Sequence, residues 1–196
     1  KIVKKINIKT KNKLIKNQKY LQNKLILNKI LEKKISLNFS SLSIDTRTIK
    51  KGNLFLAIKG KKTDGNKFVN VALKKGAGCV ISSKNSKNKK IITVKNSISF
   101  LNNFAKFKRK LSLAKIIAVT GSAGKTSLKN LIKDLLQNFG KTCSSAKSFN
   151  NHLGVPISLS NLSFDDKYGV FEIGMSKAGE IKNLSKLIQP HIGVIT

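Results

Sequence analysis

The chain has 196 residues and a formal net charge of +32, enough length to bury a substantial core as one large domain or two small ones. The charge comes from 38 Lys and only two Arg, Arg47 and Arg109, alongside 20 Asn and 23 Ile. Nucleic-acid readers lean on Arg, whose planar fork pairs bidentately with phosphate and guanine, so this excess reads as a coding bias toward A and T and argues against a nucleic-acid surface.

The charge is also uneven. Residues 1–114 carry 30 basic against 3 acidic side chains, and residues 115–196 carry 10 against 5. Residues 1–38 read as a basic leader plus an amphipathic helix over Tyr20–Leu31. No apolar core or small-residue cleavage site follows the basic N-terminus, which makes it a poor signal peptide. No stretch approaches the roughly 20 apolar residues that span a bilayer. From Phe39 the pattern turns to short apolar runs. Asn53–Ile58, Cys79–Ile81 and Ile91–Val94 are strand candidates, with a short helix around Phe68–Leu73 ended by Gly76 and Gly78. Residues 39–96 thus form a small α/β unit, and residues 97–114 a connecting helix with Phe100, Leu101, Phe104 and Phe107 on one face.

The second unit, residues 115–196, opens on the most informative stretch. The apolar run Lys115–Thr120 ends in Gly121-Ser-Ala-Gly-Lys-Thr-Ser127, and Leu128, Leu131, Ile132, Leu135 and Leu136 then repeat at helical spacing. A buried strand that delivers a glycine turn into a helix start makes an anion pocket, because the unpaired N–H groups of the first turn converge on it. Gly121 and Gly124 let the backbone wrap a phosphate, Lys125 reaches the β/γ-phosphates and the Thr126 hydroxyl sits on Mg²⁺. The loop is two residues shorter than the usual P-loop, with only Ser122 and Ala123 between the first Gly and the Gly-Lys pair. Beyond it come Lys141–Ser144, the loop Phe149–Pro156, a strand Tyr168–Ile173, a helix near Ala178–Leu187 and a strand His191–Thr196. Alternating strands and helices predict βαβ units on a parallel sheet. Cys79 and Cys143 match no metal-ligand spacing and read as free thiols of a reducing cytoplasm, with one disulfide as the alternative. His152 reads as a loop residue and His191 as structural.

Several of these motifs together resemble one family. Thr120–Ser127 is similar to the shortened phosphate loop of the Mur ligases, the ATP-dependent amide ligases of peptidoglycan synthesis. Ser148-Phe-Asn-Asn-His-Leu-Gly-Val-Pro156 and Phe171-Glu-Ile-Gly-Met-Ser-Lys-Ala-Gly-Glu-Ile181 resemble most the member that adds D-Ala-D-Ala. Ser43-Ile-Asp-Thr-Arg-Thr48, Gly52–Gly60 and Asp64-Gly65 resemble the family's UDP-sugar-binding domain. The resemblance covers about residues 40–196.

It implies a small N-terminal α/β UDP-sugar-binding domain, followed by an incomplete P-loop parallel-sheet ATPase domain. The implied reaction joins D-Ala-D-Ala to UDP-MurNAc-tripeptide through an acyl phosphate, with ATP and Mg²⁺, in the cytoplasm. The implied ATP site is Gly121, Ser122, Ala123, Gly124, Lys125, Thr126 and Ser127, with Lys125 and Glu172 catalytic and Thr126 and Glu172 on the metal. Thr46 and Arg47 are implied at the UDP moiety, and Asn150 and Asn151 in the substrate cleft. Asn66 and Lys177 depart from the family, standing where histidines are common. The family's second metal-binding region and its last domain have no counterpart in these residues, so the 196-residue chain alone is not expected to form the amide bond. The full-length protein is expected to be a monomer without a nucleic-acid partner or membrane insertion. A sibling ligase adding another amino acid, a non-catalytic nucleotide- or UDP-sugar-binding remnant and a basic nucleic-acid-binding module are the alternatives.

Overall fold

A computed structural model describes residues 8–60, 63–146, 149–175 and 178–196, and the side chains from residue 17 onward. The leader residues 1–7, Ser148 and Lys177 lie outside the described residues. The chain divides into two units, residues 1–92 and 93–196.

The first unit starts with α1 (Ile8–Leu31). The helix runs well upstream of Tyr20, where no apolar stripe announces it. It is anchored through Ile26 and Leu27, both buried, and through buried Asn23, whose amide donates to the carbonyls of Phe39 and Ser40 at 3.0 and 3.1 Å. A four-stranded sheet follows in the order β1 (Leu42–Ser43), β2 (Leu54–Leu56), β3 (Cys79–Ser82), β4 (Ile91–Thr93). β2 runs parallel to both β1 and β3. The parallel step from β2 to β3 needs a crossover, supplied by a 3₁₀ turn at Gly65–Phe68 and α2 (Val69–Lys74). Phe55, Ala57, Val69, Ala72, Ala77 and Val80 form the core between them. β2 and β3 are buried along their whole length, which is why they read as apolar runs rather than as alternation.

The second unit begins with α3 (Ser97–Leu111), whose start is capped by Asn96, its Oδ1 accepting from the N–H groups of Ile98 and Ser99. Then come β5 (Lys115–Thr120), α4 (Lys125–Gln137), β6 (Thr142–Ser144), α5 (Gly154–Ser160), β7 (Tyr168–Glu172), α6 (Glu180–Ile188) and β8 (Ile192–Ile195). All four strands are parallel in the order β6-β7-β5-β8. The expected α/β class is therefore what the structure shows. Ala105, Ile116, Ala118, Val155, Leu159, Phe171, Leu184 and Ile188 belong to one core cluster that joins α3, α5 and α6 to the sheet. α5 begins inside the stretch Phe149–Pro156 that the sequence reads as a loop and extends into residues for which it suggests no element. Every residue from Gly154 to Ser160 is buried, so no polar face marks it as a helix.

Two consequences of this topology place the site. β5, at the first strand of the unit, is central, with β7 on one side and β8 on the other. In parallel α/β sheets ligands gather beyond the carboxyl ends of the strands, where strand order reverses. Val119 pairs with Glu172 and Thr120 with Ile195, so the loop after β5, the end of β7 and the end of β8 share one rim.

Candidate nucleotide and metal site

The loop after β5 turns on two glycines with positive φ, Gly121 at +139° and Gly124 at +73°. Both conformations suit glycine above all other residues. Gly121 is also confined by its neighbour, since a Cβ there would run into Thr196 at the end of β8. Thr196 is tied to the loop by its N–H, which donates to the Thr120 carbonyl at 2.9 Å, and by its hydroxyl, which donates to the Ala123 carbonyl. Gly124 is the N-cap of α4, and no side chain caps that helix start. The first-turn N–H groups of Lys125, Thr126 and Ser127 have no partner within an α-helix by construction, so this end is suited to an anion. Ser122 and Ala123 complete the exposed turn between the two glycines.

Lys125 folds back over the loop, its ammonium donating to the carbonyls of Gly121 at 2.8 Å and Ser122 at 3.2 Å. Thr126 does something different. Its hydroxyl donates at 2.8 Å to Oε2 of Glu172, the last residue of β7. Glu172 is 1% exposed, and a carboxylate buried that deeply needs partners. It has them. Oε2 accepts from Thr126 and Oε1 from the Asn150 amide at 2.8 Å, while the backbone N–H of Glu172 donates to the Ser145 hydroxyl at 3.2 Å. Gly174 closes the frame, its N–H donating to the Asn150 carbonyl at 2.7 Å.

The structure thus brings together Gly121–Ser127, Glu172 and Asn150. Asn151 is engaged locally, its Oδ1 accepting from the N–H groups of Leu153 and Gly154 at the start of α5. Thr46 and Arg47 lie in the first unit, on the turn after β1. The Thr46 carbonyl accepts from Lys75 at 2.8 Å. Arg47 grips Asp45 through Nε at 3.0 Å and Nη2 at 2.7 Å, with its side chain 87% exposed. This hydrogen-bonded pairing holds the Asp45 carboxyl below its usual range. Asn66, the departure from the family's histidine, donates to Asp64 at 2.7 Å and accepts from Ser82 at 2.8 Å. His191 acts on the backbone of β5, its Nδ1 accepting from the Ile116 N–H at 2.8 Å.

Sequence reasoning missed three contributors. Lys129 sits one turn after Lys125 and is 1% exposed, although lysine rarely is. Its ammonium donates to the Ser145 carbonyl at 3.1 Å. Burial lowers its pKa, and the nearby charge of Glu172 opposes that shift. Ser145 and Thr196 are the others. All three are ordinary residues, visible only once α4, β6, β7 and β8 are placed. On α4 it is Lys129 that is buried, while Leu131 and Leu135 are more than half exposed. Leu128, Ile132 and Leu136 are half-buried, so the inward side of the helix combines apolar residues with Lys129.

A hard divalent cation fits this set. Thr126 and Glu172 offer oxygen donors in mutual contact, the carboxylate is buried, and phosphate oxygens from a nucleotide would supply other ligands. Mg²⁺ is commonly held by one or two carboxylates plus substrate phosphates. Among the described residues no cluster of three or more His, Cys, Asp or Glu side chains could hold a metal ion by itself.

Comparison with known proteins gives the same answer along the chain. Residues 38–123 match the model of the Mur ligase family catalytic domain, and residues 119–196 that of the Mur ligase middle domain. The UDP-N-acetylmuramoyl-tripeptide–D-alanyl-D-alanine ligase of Rickettsia prowazekii (strain Madrid E) is 42% identical over 164 residues, which cover 82% of this chain and 36% of that protein. A crystal structure of MurF from Acinetobacter baumannii superposes with a TM-score of 0.74 at 28% identity, covering 90% of this chain and 40% of that one. The MurF ligase of Thermotoga maritima, solved in complex with ADP, gives 0.65 at 29% identity, covering 79% and 36%. The chain spans a little over a third of the length of the curated relatives it matches. Two family matches that together cover residues 38–196 show that the chain belongs to the Mur ligase family.

Proposed function

We propose that this chain carries the UDP-substrate-binding and ATP-binding portions of the ligase that joins D-Ala-D-Ala to UDP-MurNAc-tripeptide in peptidoglycan synthesis. The observation that carries the reading is the 2.8 Å contact between Thr126 and buried Glu172. It puts two hard oxygens beside a phosphate-binding helix start, in a chain whose relatives bear that ligase's name. The ADP in the Thermotoga maritima relative supports a nucleotide at this loop. Cytoplasmic placement follows from the reaction's soluble nucleotide substrates. No helix among the described residues is long and apolar enough to cross a membrane.

The chemistry asks the protein for charge neutralisation and alignment more than for a nucleophile. The tripeptide carboxylate attacks the γ-phosphate, the bond to ADP breaks, and an acyl phosphate results. The D-Ala-D-Ala amine then attacks the acyl carbon, loses a proton and displaces phosphate. In this scheme the N–H groups of Gly121–Ser127 hold the phosphates. Lys125 leaves its loop carbonyls for the more strongly charged γ-phosphate. Thr126 and Glu172 hold Mg²⁺, which when bound offsets phosphate charge. Asn150 keeps the Glu172 carboxylate oriented by occupying its second oxygen. Thr46 and Arg47 receive the UDP moiety, the Arg47 fork exchanging Asp45 for diphosphate. Asn151 supports the substrate cleft from the start of α5.

The test is a chimera in which residues 38–196 replace the matching segment of the Rickettsia relative. Phosphate release should require both UDP-MurNAc-tripeptide and D-Ala-D-Ala, and Lys125→Ala should remove it. A folded chimera that releases phosphate only with a different amino acid would reassign the chain to a sibling ligase. One that binds nucleotide without any acceptor-dependent turnover would leave a binding role.

A further inference from the structure

Lys129 has no part in the scheme above, yet it is fully buried beside it. Its ammonium and Glu172 meet at one residue, Ser145, itself 2% exposed. The Ser145 carbonyl accepts from Lys129 Nζ at 3.1 Å, and its hydroxyl accepts from the Glu172 N–H at 3.2 Å. Ser145 is in turn fixed to β7, its N–H donating to the Val170 carbonyl at 3.2 Å. Lys129 therefore fastens α4 to the end of β7 at the point where Glu172 emerges, while Thr126, one turn earlier on the same helix, holds Glu172 Oε2.

We propose that Lys129 is a positioning residue and resident counter-cation of this site, which makes a divalent ion bind with the nucleotide and not ahead of it. The proposal rests on the nucleotide and metal reading of the site. Its logic is electrostatic. A lone buried carboxylate would attract a bare divalent ion, and low surrounding polarity would strengthen the attraction. With the Lys129 ammonium and Glu172 both held on Ser145, and Lys125 on the loop, the Glu172 charge is already balanced. Only a nucleotide, which brings its own negative charges, makes room for the cation. Replacing Lys129 by a neutral residue leaves Glu172 uncompensated, and a bare cation then becomes its natural partner. A purely structural lysine would predict the reverse, since damage to the rim weakens every ligand.

The experiment is Mn²⁺ titration of the chain followed by electron paramagnetic resonance, with and without ADP, on wild type and Lys129→Met. Wild type should bind Mn²⁺ at least tenfold more tightly with ADP than without. In Lys129→Met, bare Mn²⁺ should bind at least tenfold more tightly than in wild type, and the ADP enhancement should shrink by a similar factor. A folded Lys129→Met with unchanged or weaker bare Mn²⁺ binding overturns the proposal while wild type still responds to ADP. A wild type that gives no ADP-dependent Mn²⁺ binding instead overturns the nucleotide-site reading beneath it. If Lys129→Met does not fold, the double variant Lys129→Met/Glu172→Gln decides. Restored folding supports charge balance between the two, and a double variant as unfolded as the single one overturns it.

Discussion

At the scale of single residues, the site depends on where glycine is irreplaceable. Gly121 and Gly179 both have positive φ, but only Gly121 has a neighbour in the way. Gly179, at the start of α6, has nothing within 4 Å of an added Cβ. Gly179→Ala should cost about 1 kcal/mol, from backbone strain alone. Gly121→Ala should cost more, because β8 must let go of the loop through Thr196, and ADP binding should weaken at least tenfold. Thermal melts and titrations of the two variants check the order, and equal effects would show that Thr196 does not confine the loop. Cys79 gives a second test. Burial pushes its thiol up to about 12, so at pH 8 the reactive thiolate is far scarcer than for an ordinary cysteine. Cys79 should stay silent toward a disulfide reagent in the native chain and react once guanidinium unfolds it. Reaction at the free-thiol rate would contradict the buried β3.

Elements are held by local devices, some of them built on the chain's few arginines. Of the only two arginines, Arg109 on α3 reaches the end of α6, where Nε donates to the Ile188 carbonyl and Nη2 to the Gln189 carbonyl, both at 2.6 Å. Gln189 has φ of +46°, a conformation that non-glycine residues adopt at a cost. The fork of Arg109 satisfies two carbonyls that a helix end leaves open, and a lysine has one compact head where two directions are needed. Arg109→Lys should lower stability by about 1 kcal/mol and Arg109→Ala by about 2 kcal/mol, read as denaturation midpoints. A lysine variant as stable as wild type would show that one donor suffices.

What the sequence made legible followed from physical signals of different reach. The phosphate loop was readable because its requirement is local: strand, glycine turn, helix, with Lys125 and Thr126 at fixed offsets. Glu172 was named only through the resemblance of Phe171–Ile181 to the Mur ligases. α5 was not, since a helix buried on every side has no amphipathic period. Lys129 was illegible for the opposite reason. In a chain with 38 lysines, a lysine on a helix reads as a solvated face, and only the packing of α4 on β6 and β7 reveals otherwise.

At the scale of the whole molecule, the roles proposed above fall on two separate sheet-and-helix units. The first unit offers the turn with Thr46 and Arg47, and the second the phosphate loop backed by Glu172. The uneven charge fits this division, since the nucleotide half is nearly ordinary at 10 basic against 5 acidic residues. On the proposed reading, ligand selection rests on the rim of β5, β7 and β8 and not on bulk charge. In the proposed function this rim binds a nucleotide with its cation. Calorimetric titration of Mg²⁺-ATP into wild type and Lys125→Ala tests it most directly. Saturable binding in wild type, weakened about thirtyfold in the variant by loss of about 2 kcal/mol of charge-assisted contact without change in the melting temperature, is the predicted result. Equal affinity in the two proteins, or no saturable heat in wild type, would contradict it.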